Sequence, residues 1–396
     1  NISLIRKEFD QNKKFENKDY GFVVSYQSEH KINKNIIVEN INNYLKIRKY
    51  YRCLNRTEYT NPNYPFKIHM SIVKSSNNNV YKLYNSGLLQ STVKYEIEIE
   101  IINSSINKID NDVLKRQTRY LIKQILCGLQ CSNYPVSYKT INNVKDNYLK
   151  LVKLEKKVED IVPTDFIGYS TSILEMKHIQ TQEDSYSDIS ILSDYTVTDK
   201  ADGERKLLFI NKKGDLYLLN NRLDVQYTGI KTKESIYFNT IIDGEHIWNS
   251  DINMYAAFDI YYLNGNEESK DNNKGPVFKN PFWNETIGRY ILLNNLISNI
   301  EKEIEVSGVI KLKCKHFEII TNESEIFKKS KIILDSPKPY LTDGLIFTPA
   351  SKPVGWMPDK DNNELNKRNR WIYSLKWKPQ EQNTIDFLVS VKDTIY

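Results

Sequence analysis

The sequence predicts an α+β fold in which antiparallel strands outnumber helices. Residues 66–74 and 94–102 alternate apolar and polar side chains with a period of two, which is typical of strands with one covered face. Apolar residues recur at helical spacing in two long stretches, about 110–129 and 284–300. A chain of 396 residues is long enough for two or three domains, each with its own core.

Composition excludes several classes of protein. A hydrophobic fraction of 40% and a charged fraction of 27% are typical of a globular domain. The net charge of +6 permits a polyanionic partner such as RNA without requiring one. There is no apolar run of membrane-spanning length and no signal peptide, so we expect a cytoplasmic protein without a membrane partner. Cys127 and Cys131 lack the second pair that a zinc site needs, which favours reduced thiols.

Domain boundaries follow from composition. Residues 140–190 are polar and mixed, with Pro163 and the run 182–188 typical of a connection. We therefore predict a first domain over 1–150, a second over 160–384, and the start of a third over 385–396. The opening residues, Asn1-Ile-Ser-Leu, suggest that the numbering begins inside a longer protein.

A glutamate-rich strand is the chemical feature of the first domain. Strict alternation places three carboxylates on one face: Glu96, Glu98 and Glu100. Their roughly 6.5–7 Å spacing makes them repel one another unless water, cations or a metal offset the charge. We expect them to converge on Mg²⁺ or Mn²⁺, or on a basic side chain such as Lys67 or Arg52. The ordinary alternative is a solvated outer face.

The stretch Lys200-Ala-Asp-Gly-Glu-Arg205 organises the second domain. An alternating run precedes it and an apolar run follows, which predicts strand, turn, strand. A lysine is nucleophilic only when neutral, and its ordinary pKa is about 10.4, so a lysine used covalently needs nearby cations, burial or a metal. Arg205 could hold a phosphate or a ribose oxygen. The ordinary alternative is a β-hairpin in which Asp-Gly serves only as the turn.

Five motifs in order resemble one superfamily. The sequences K-A-D-G-E-R, D-G-E, F-D, D-G-L-I-F and K-W-K-P, within residues 195–389, are similar to those of mRNA capping enzymes and polynucleotide ligases. The form K-W-K-P-x-x-x-N-T-I-D-F most resembles guanylyltransferases of large cytoplasmic DNA viruses and related cytoplasmic elements. Their preceding domain is an RNA triphosphatase, a β-tunnel with a glutamate-rich strand. The stretches P-F-K-I-H-M-S-I-V-K-S-S and Y-E-I-E-I-E-I are similar to it.

The resemblance implies an incomplete antiparallel β-tunnel, a nucleotidyltransferase domain of antiparallel sheets with helices, and the start of a truncated OB-fold. It implies that Lys200 takes GMP in a phosphoramidate bond. Further roles implied for the nucleotide site are sugar or phosphate contact by Arg205 and Arg222, ribose or metal binding by Glu245, stacking on guanine by Phe258, support of metal and phosphates by Asp343, and α-phosphate binding by Lys376 and Lys378.

The function implied is mRNA capping with GTP and Mg²⁺ or Mn²⁺: GMP passes from Lys200 to the 5′-diphosphate end of RNA after a triphosphatase removes the γ-phosphate. A methyltransferase and an RNA polymerase are further implied partners, and a virion or a cytoplasmic transcription site is the implied location. One alternative is an ATP-dependent RNA or DNA ligase with a lysyl-AMP intermediate; another is a non-catalytic RNA-binding subunit. The chain departs from the pattern in having no E-x-E strand before residue 66, since Arg6-Lys-Glu-Phe is not one.

Overall fold

The computed structural model describes residues 5–32, 43–102, 104, 108–180, 189–265, 274–303, 310–358, 365, 370–382 and 387–388. The chain divides into two units, residues 1–126 and 127–396. No described helix has the length and apolarity needed to span a membrane.

The first unit is built from antiparallel strands. Strands β1 (Ile5–Asn17) and β2 (Phe22–Lys31) form a hairpin. Strands β3 (Arg52–Thr60), β4 (Phe66–Ser75) and β5 (Lys94–Ile101) form a sheet with β4 in the middle. Helix α1 (Asn111–Gln130) follows, and the Asp110 carboxylate caps it by accepting from the amides of Asp112 and Val113. Both strands and the helix predicted for this region are confirmed.

At the centre of strand β4, the polar face is more buried than the apolar face. His69 and Ser71 of β4 are buried, whereas Met70 and Ile72, which point the other way, are 48% and 46% exposed. Among the described residues the sheets of this unit have the orders β1-β2 and β3-β4-β5 and do not close into a tunnel.

The second unit contains two sheets. One has the order β10-β9-β8-β11-β12-β13. Its strands are β8 (Glu204–Ile210), β9 (Asp215–Leu219), β10 (Val225–Lys231), β11 (Thr240–Trp248), β12 (Asn253–Tyr262) and β13 (Lys311–Cys314). The other has the order β14-β7-β15-β16-β6. Its strands are β6 (Ser170–Ile173), β7 (Tyr195–Ala201), β14 (Glu318–Ile320), β15 (Thr342–Pro349) and β16 (Arg370–Trp377).

Three helices cover these sheets: α2 (Tyr138–Leu151), α3 (Arg289–Glu303) and α4 (Ile326–Asp335). Leu293 and Ile297 of α3 pack in a core cluster on one face of the six-stranded sheet, and Tyr148 of α2 packs in a second cluster with Phe209. Ile333 of α4 packs on the five-stranded sheet. This sheet-rich architecture with few helices agrees with the predicted α+β class.

The observed division of the chain differs from the predicted boundary near residue 150. It falls at residues 126 and 127, because α2 belongs to the second unit. Val144, Tyr148 and Leu149 are buried in the cluster that also contains Phe209. A polar helix that buries one apolar stripe resembles a connection when only its composition is considered. Of the predicted OB-fold start, only Phe387 and Leu388 are described, and both are exposed.

Candidate functional site

The turn at Asp202-Gly203 joins the two sheets of the second unit. Strand β7 before it pairs with β14 and β15, whereas β8 after it pairs with β9 and β11. The two strands therefore do not form the β-hairpin that was the ordinary alternative. A Cβ on Gly203 would lie 2.8 Å from both the Glu245 Cγ and the His246 carbonyl oxygen, so this close approach requires glycine.

Lys200 meets two other predicted residues at this junction. Its Nζ donates to Asp343 Oδ1 at 2.7 Å, and Lys378 Nζ lies 2.6 Å from Asp343 Oδ2. Burial disfavours the Asp343 carboxylate, but the hydrogen bonds from the two lysines outweigh that effect and lower its pKa. The Asp343 carboxylate thus binds the ammonium groups of both Lys200 and Lys378, which lie far apart in the sequence.

Asp343-Gly344 lies inside strand β15, not in a hairpin turn. Gly344 has a φ of 144°, and a Cβ there would overlap the carbonyl oxygen of Trp377. This contact explains the glycine, because it lets β15 approach the end of β16 closely.

The two predicted phosphate lysines have different surroundings. Lys378 is bound to Asp343, whereas Lys376 is half-buried in β16 and forms no ion pair with any residue in the described ranges. Trp377 packs against the hydrophobic cluster of the five-stranded sheet, as its position between the lysines predicts. Lys376 therefore has no carboxylate partner here to compete with an anion.

The six-stranded sheet presents Arg205 from the other side of the junction. Its guanidinium donates to Asp243 through Nε at 3.0 Å and Nη2 at 2.5 Å, and through Nη1 to the Tyr169 carbonyl at 2.9 Å. The Tyr261 hydroxyl also donates to Asp243. Asp243-Gly244 lies within β11, so it is not a hairpin turn either. These hydrogen bonds fix the orientation of the Arg205 side chain. The motif pattern does not predict the contact of Arg205 with Asp243.

Glu245 lies directly opposite Arg205 in the pairing of β11 with β8. Burial raises the pKa of its carboxyl to about 7, although Lys315 and Lys200 act in the opposite direction. The Glu245 carboxyl is therefore poised to change charge near neutral pH. A perturbed carboxyl beside a lysine and an arginine is typical of a functional site.

Phe258, on the next strand, lies beside a lysine that sequence reasoning missed. Lys315 Nζ is 6.0 Å from the centre of the Phe258 ring. Its side chain is buried, and Nζ lies 3.2 Å from the equally buried Asp199 Oδ2. Burial lowers the pKa of Lys315, and Asp199 opposes that shift. The only signal in the sequence for the side chain of Lys315 is the alternation Lys311-Leu-Lys-Cys-Lys315.

Arg222 is the predicted nucleotide-binding residue with the least structural context. It is exposed in the turn between β9 and β10, where its amide donates to Asn220 Oδ1 at 3.0 Å. Leu219, which precedes this turn, pairs with Leu207 of β8, so the turn lies at the same end of the sheet as Arg205.

Two of the three glutamates on the glutamate face of the first unit, Glu96 and Glu98, pair with arginines. Arg52 Nη2 lies 2.6 Å from Glu96, so one of the predicted basic partners is found. Arg56 Nη2 lies 2.6 Å from Glu98. Lys67 instead pairs with Glu58 at 3.1 Å, across the sheet on β3.

His69 adds a metal-binding atom that the glutamate pattern does not reveal. One ligand atom each from His69, Glu98 and Glu100 lie within 4.8 Å of one another. A ligand set of imidazole nitrogen and carboxylate oxygens suits a divalent transition metal such as Mn²⁺. It suits Mg²⁺ less well, because Mg²⁺ prefers a shell made only of oxygen ligands. The donor chemistry of this trio therefore fits a divalent ion.

Comparison with known proteins supports the family resemblance. Residues 185–379 match the family model described as mRNA capping enzyme, catalytic domain. A probable mRNA-capping enzyme of Acanthamoeba polyphaga mimivirus is 25% identical over 341 residues, covering 76% of this chain and 26% of that protein. The mRNA-capping enzyme subunit alpha of Candida glabrata is 25% identical over 238 residues, covering 53% of this chain and 47% of that protein.

The chain thus spans about a quarter and about half the length of these two curated relatives. Among solved structures, the ATP-dependent DNA ligase of bacteriophage T7 in complex with ATP aligns over 54% of this chain and 68% of its own, at 10% identity and a TM-score of 0.32. The family match and the two relatives confirm the predicted resemblance to mRNA capping enzymes of the viral type.

Proposed function

We propose that this relative of capping enzymes is an mRNA guanylyltransferase that forms a covalent lysyl-GMP intermediate at Lys200. The observation that carries the proposal is the cluster of Lys200, Asp343 and Lys378, in which the candidate nucleophile shares one carboxylate with a second lysine at the junction of two sheets. Phosphoryl transfer needs a positioned nucleophile and dispersed positive charge more than elaborate covalent chemistry.

The reaction proceeds in two displacements. In the first, neutral Lys200 Nζ attacks the α-phosphorus of GTP, a nitrogen–phosphorus bond forms as Nζ loses a proton to solvent, and the bond to the β-phosphate bridging oxygen breaks to release pyrophosphate. In the second, a terminal oxygen of the 5′-diphosphate RNA attacks the same phosphorus, and the bond to Lys200 breaks as Nζ takes up a proton and leaves as the amine. Lys376 and Lys378 stabilise the negative charge that the α-phosphate carries in both steps.

Residues of the six-stranded sheet hold the nucleoside. Arg205 and Glu245 bind the sugar, and Phe258 stacks on the base. Lys315 beside that ring favours guanine, because a lysine donates hydrogen bonds to the guanine O6 acceptor but meets an amino donor at the same place in adenine. A role for Arg222 in contacting the phosphates or sugar belongs to the same proposal.

Glu245 and Asp343 supply oxygen ligands of the kind that Mg²⁺ prefers. A bound Mg²⁺ or Mn²⁺ would neutralise phosphate charge and orient the leaving pyrophosphate.

Incubation with GTP labelled at the α-phosphate, followed by denaturing electrophoresis, tests this proposal. We expect label on the protein, and at least tenfold more from GTP than from ATP, which corresponds to about 1.4 kcal/mol. Equal labelling from both would favour the ligase alternative with its lysyl-AMP intermediate. No labelling from either, with RNA binding retained, would favour a non-catalytic RNA-binding subunit.

A second function, RNA 5′-triphosphatase activity, is proposed for the first unit within the full-length protein. It is supported by the approach of His69, Glu98 and Glu100 to within 4.8 Å of one another. We propose that these strands form part of a β-tunnel with Glu96, and that an OB-fold begins after residue 384. Because no E-x-E strand occurs before residue 66, we expect little triphosphatase activity from residues 1–396.

Glu98→Ala in the full-length protein tests the triphosphatase proposal. We expect release of γ-phosphate from triphosphate RNA to disappear while labelling by GTP stays intact. Asp112→Ala, at an exposed position of α1, is the control. Simultaneous loss of both activities in Glu98→Ala would indicate that this strand is purely structural.

A further inference from the structure

Two distant segments of the first unit form one exposed surface rich in tyrosine and positive charge. The Lys49 amide donates to the Val80 carbonyl at 2.8 Å, and the Val80 amide returns the bond at 2.9 Å. The Tyr51 hydroxyl donates to the Tyr81 carbonyl at 3.1 Å. We call this surface the tyrosine–cation patch and define it by Tyr44, Lys46, Arg48, Tyr81, Lys82 and Tyr84.

The rings of this patch are open to solvent and have cations beside them. Tyr84 is 78% exposed, and Tyr44 and Tyr81 are 45% and 46% exposed. The Arg48 guanidinium carbon lies 5.3 Å from the Tyr81 ring centre, and Lys82 Nζ lies 5.7 Å from that of Tyr84. A contiguous group of exposed rings, unlike a single exposed ring, marks a candidate interaction surface.

The patch also lacks negative charge. Residues 43–57 and 59–95 contain no aspartate or glutamate. Within the described ranges, the charged groups of Lys46, Arg48 and Lys82 form no ion pair. The carboxylate of Glu96, on strand β5, is already paired with Arg52. The three cations therefore remain available to an external anion.

We infer that the tyrosine–cation patch binds single-stranded RNA downstream of the 5′ end that is capped. Unpaired bases stack on exposed tyrosine rings, and phosphates between the bases pair with the interleaved cations. A duplex fits less well, because its bases are already stacked on one another. The identity of the RNA as the substrate rests on the proposed function, whereas the surface itself rests on exposure, spacing and charge.

The test is fluorescence anisotropy with a labelled single-stranded RNA of about 12 nucleotides that ends in a 5′-hydroxyl, so that binding is independent of triphosphate chemistry. The double variant Tyr81→Ala/Tyr84→Ala should weaken binding roughly tenfold or more per ring. The triple variant Lys46→Ala/Arg48→Ala/Lys82→Ala should reduce the slope of log affinity against log salt by about 2, since each phosphate contact on a single strand contributes about 0.7.

Tyr26→Ala is the matched control, because Tyr26 is 60% exposed and has Lys13 4.9 Å from its ring on the β1–β2 hairpin. Lys13 already pairs with Asp10 at 3.3 Å, so we expect unchanged RNA binding. Normal RNA binding by both patch variants, equal loss in Tyr26→Ala, or binding to anionic vesicles but not to RNA would each overturn the inference.

Labelling by GTP in the same preparations separates the two proposals. If the wild-type protein forms no GMP adduct but the patch variants lose RNA binding, the proposed function fails and the patch inference stands. If the adduct forms and the patch variants bind RNA normally, the patch inference fails alone.

Discussion

The glutamate face of the first unit and the lysine cluster of the second distribute charge in opposite ways. On the glutamate face of the first unit, Glu96 and Glu98 each have their own arginine, as in the pair of Arg52 and Glu96, whose side chains are 42% and 34% exposed. In the second unit Asp343, only 14% exposed, serves both Lys200 and Lys378. One-to-one pairs in solvent are already satisfied and contribute little to stability. Two lysines on one carboxylate leave a positive excess that an anionic substrate can neutralise.

The largest expected effect comes from removing the nucleophile of the lysine cluster. Lys200→Ala should abolish the GMP adduct, and Lys200→Arg should abolish it too, because a guanidinium is not deprotonated at working pH. Denaturing electrophoresis after incubation with labelled GTP measures both. Lys212→Ala, exposed in the turn after β8, is the control and should label normally. Label retained on either Lys200 variant would rule out this residue as the attachment site.

The second prediction tests whether the positive excess acts on the substrate. Lys376→Ala and Lys378→Ala should each slow single-turnover adduct formation by roughly 10²-fold, the scale of losing one preorganised donor. Trp377→Phe should alter stability more than rate, because Trp377 packs on a hydrophobic cluster. Near-normal rates in both lysine variants, or a collapse of rate in a stably folded Trp377→Phe, would contradict this account.

The third prediction uses the pH dependence of the Glu245 carboxyl. Burial raises its pKa to about 7, so the group is mostly protonated below that pH and ionised above it. An ionised carboxylate accepts ribose hydroxyls and binds metal better, so affinity for GTP should rise as pH increases through 7. Equilibrium binding should show this rise in the wild type and a flat profile in Glu245→Gln. An identical profile in the variant would assign the rise to another group.

The smallest expected effect comes from breaking an ion pair on the glutamate face of the first unit. Arg52→Met removes the partner of Glu96 on the glutamate face, but both side chains are well exposed. The free energy of unfolding should therefore fall by only about 0–1 kcal/mol, and the difference should shrink with added salt. Chemical denaturation at two salt concentrations measures it. A large and salt-independent loss would mean that this face is as tightly coupled as the lysine cluster.

Local patterns predicted the elements better than their connections. Alternation identified β4 and β5, and the helical spacing identified α1, because burial on one face imposes a period on the sequence. The same reasoning offered a hairpin for the strands around Asp202-Gly203. It could not show that they join different sheets, because pairing partners are set by residues far away in the sequence.

The candidate site residues also divide into those that local motifs predicted and those that depend on distant strands. Lys200, Asp343 and Lys378 were predicted from motifs, and the fold brings them into contact. Lys315 and His69 were missed because each becomes significant only through a neighbour on another strand: Phe258 for Lys315, and Glu98 for His69. The order of strands in a sheet is a tertiary property that single-sequence periodicity does not contain.

The turn at Asp202-Gly203 also limits how far apart two predicted site residues can lie. Lys200 lies two residues before it and Arg205 two residues after it, each within about 7 Å of the point where the chain crosses between sheets. Five residue steps of fully extended chain span at most about 18 Å. The covalent connection therefore bounds the separation of the lysine and arginine backbones, however the two sheets pack.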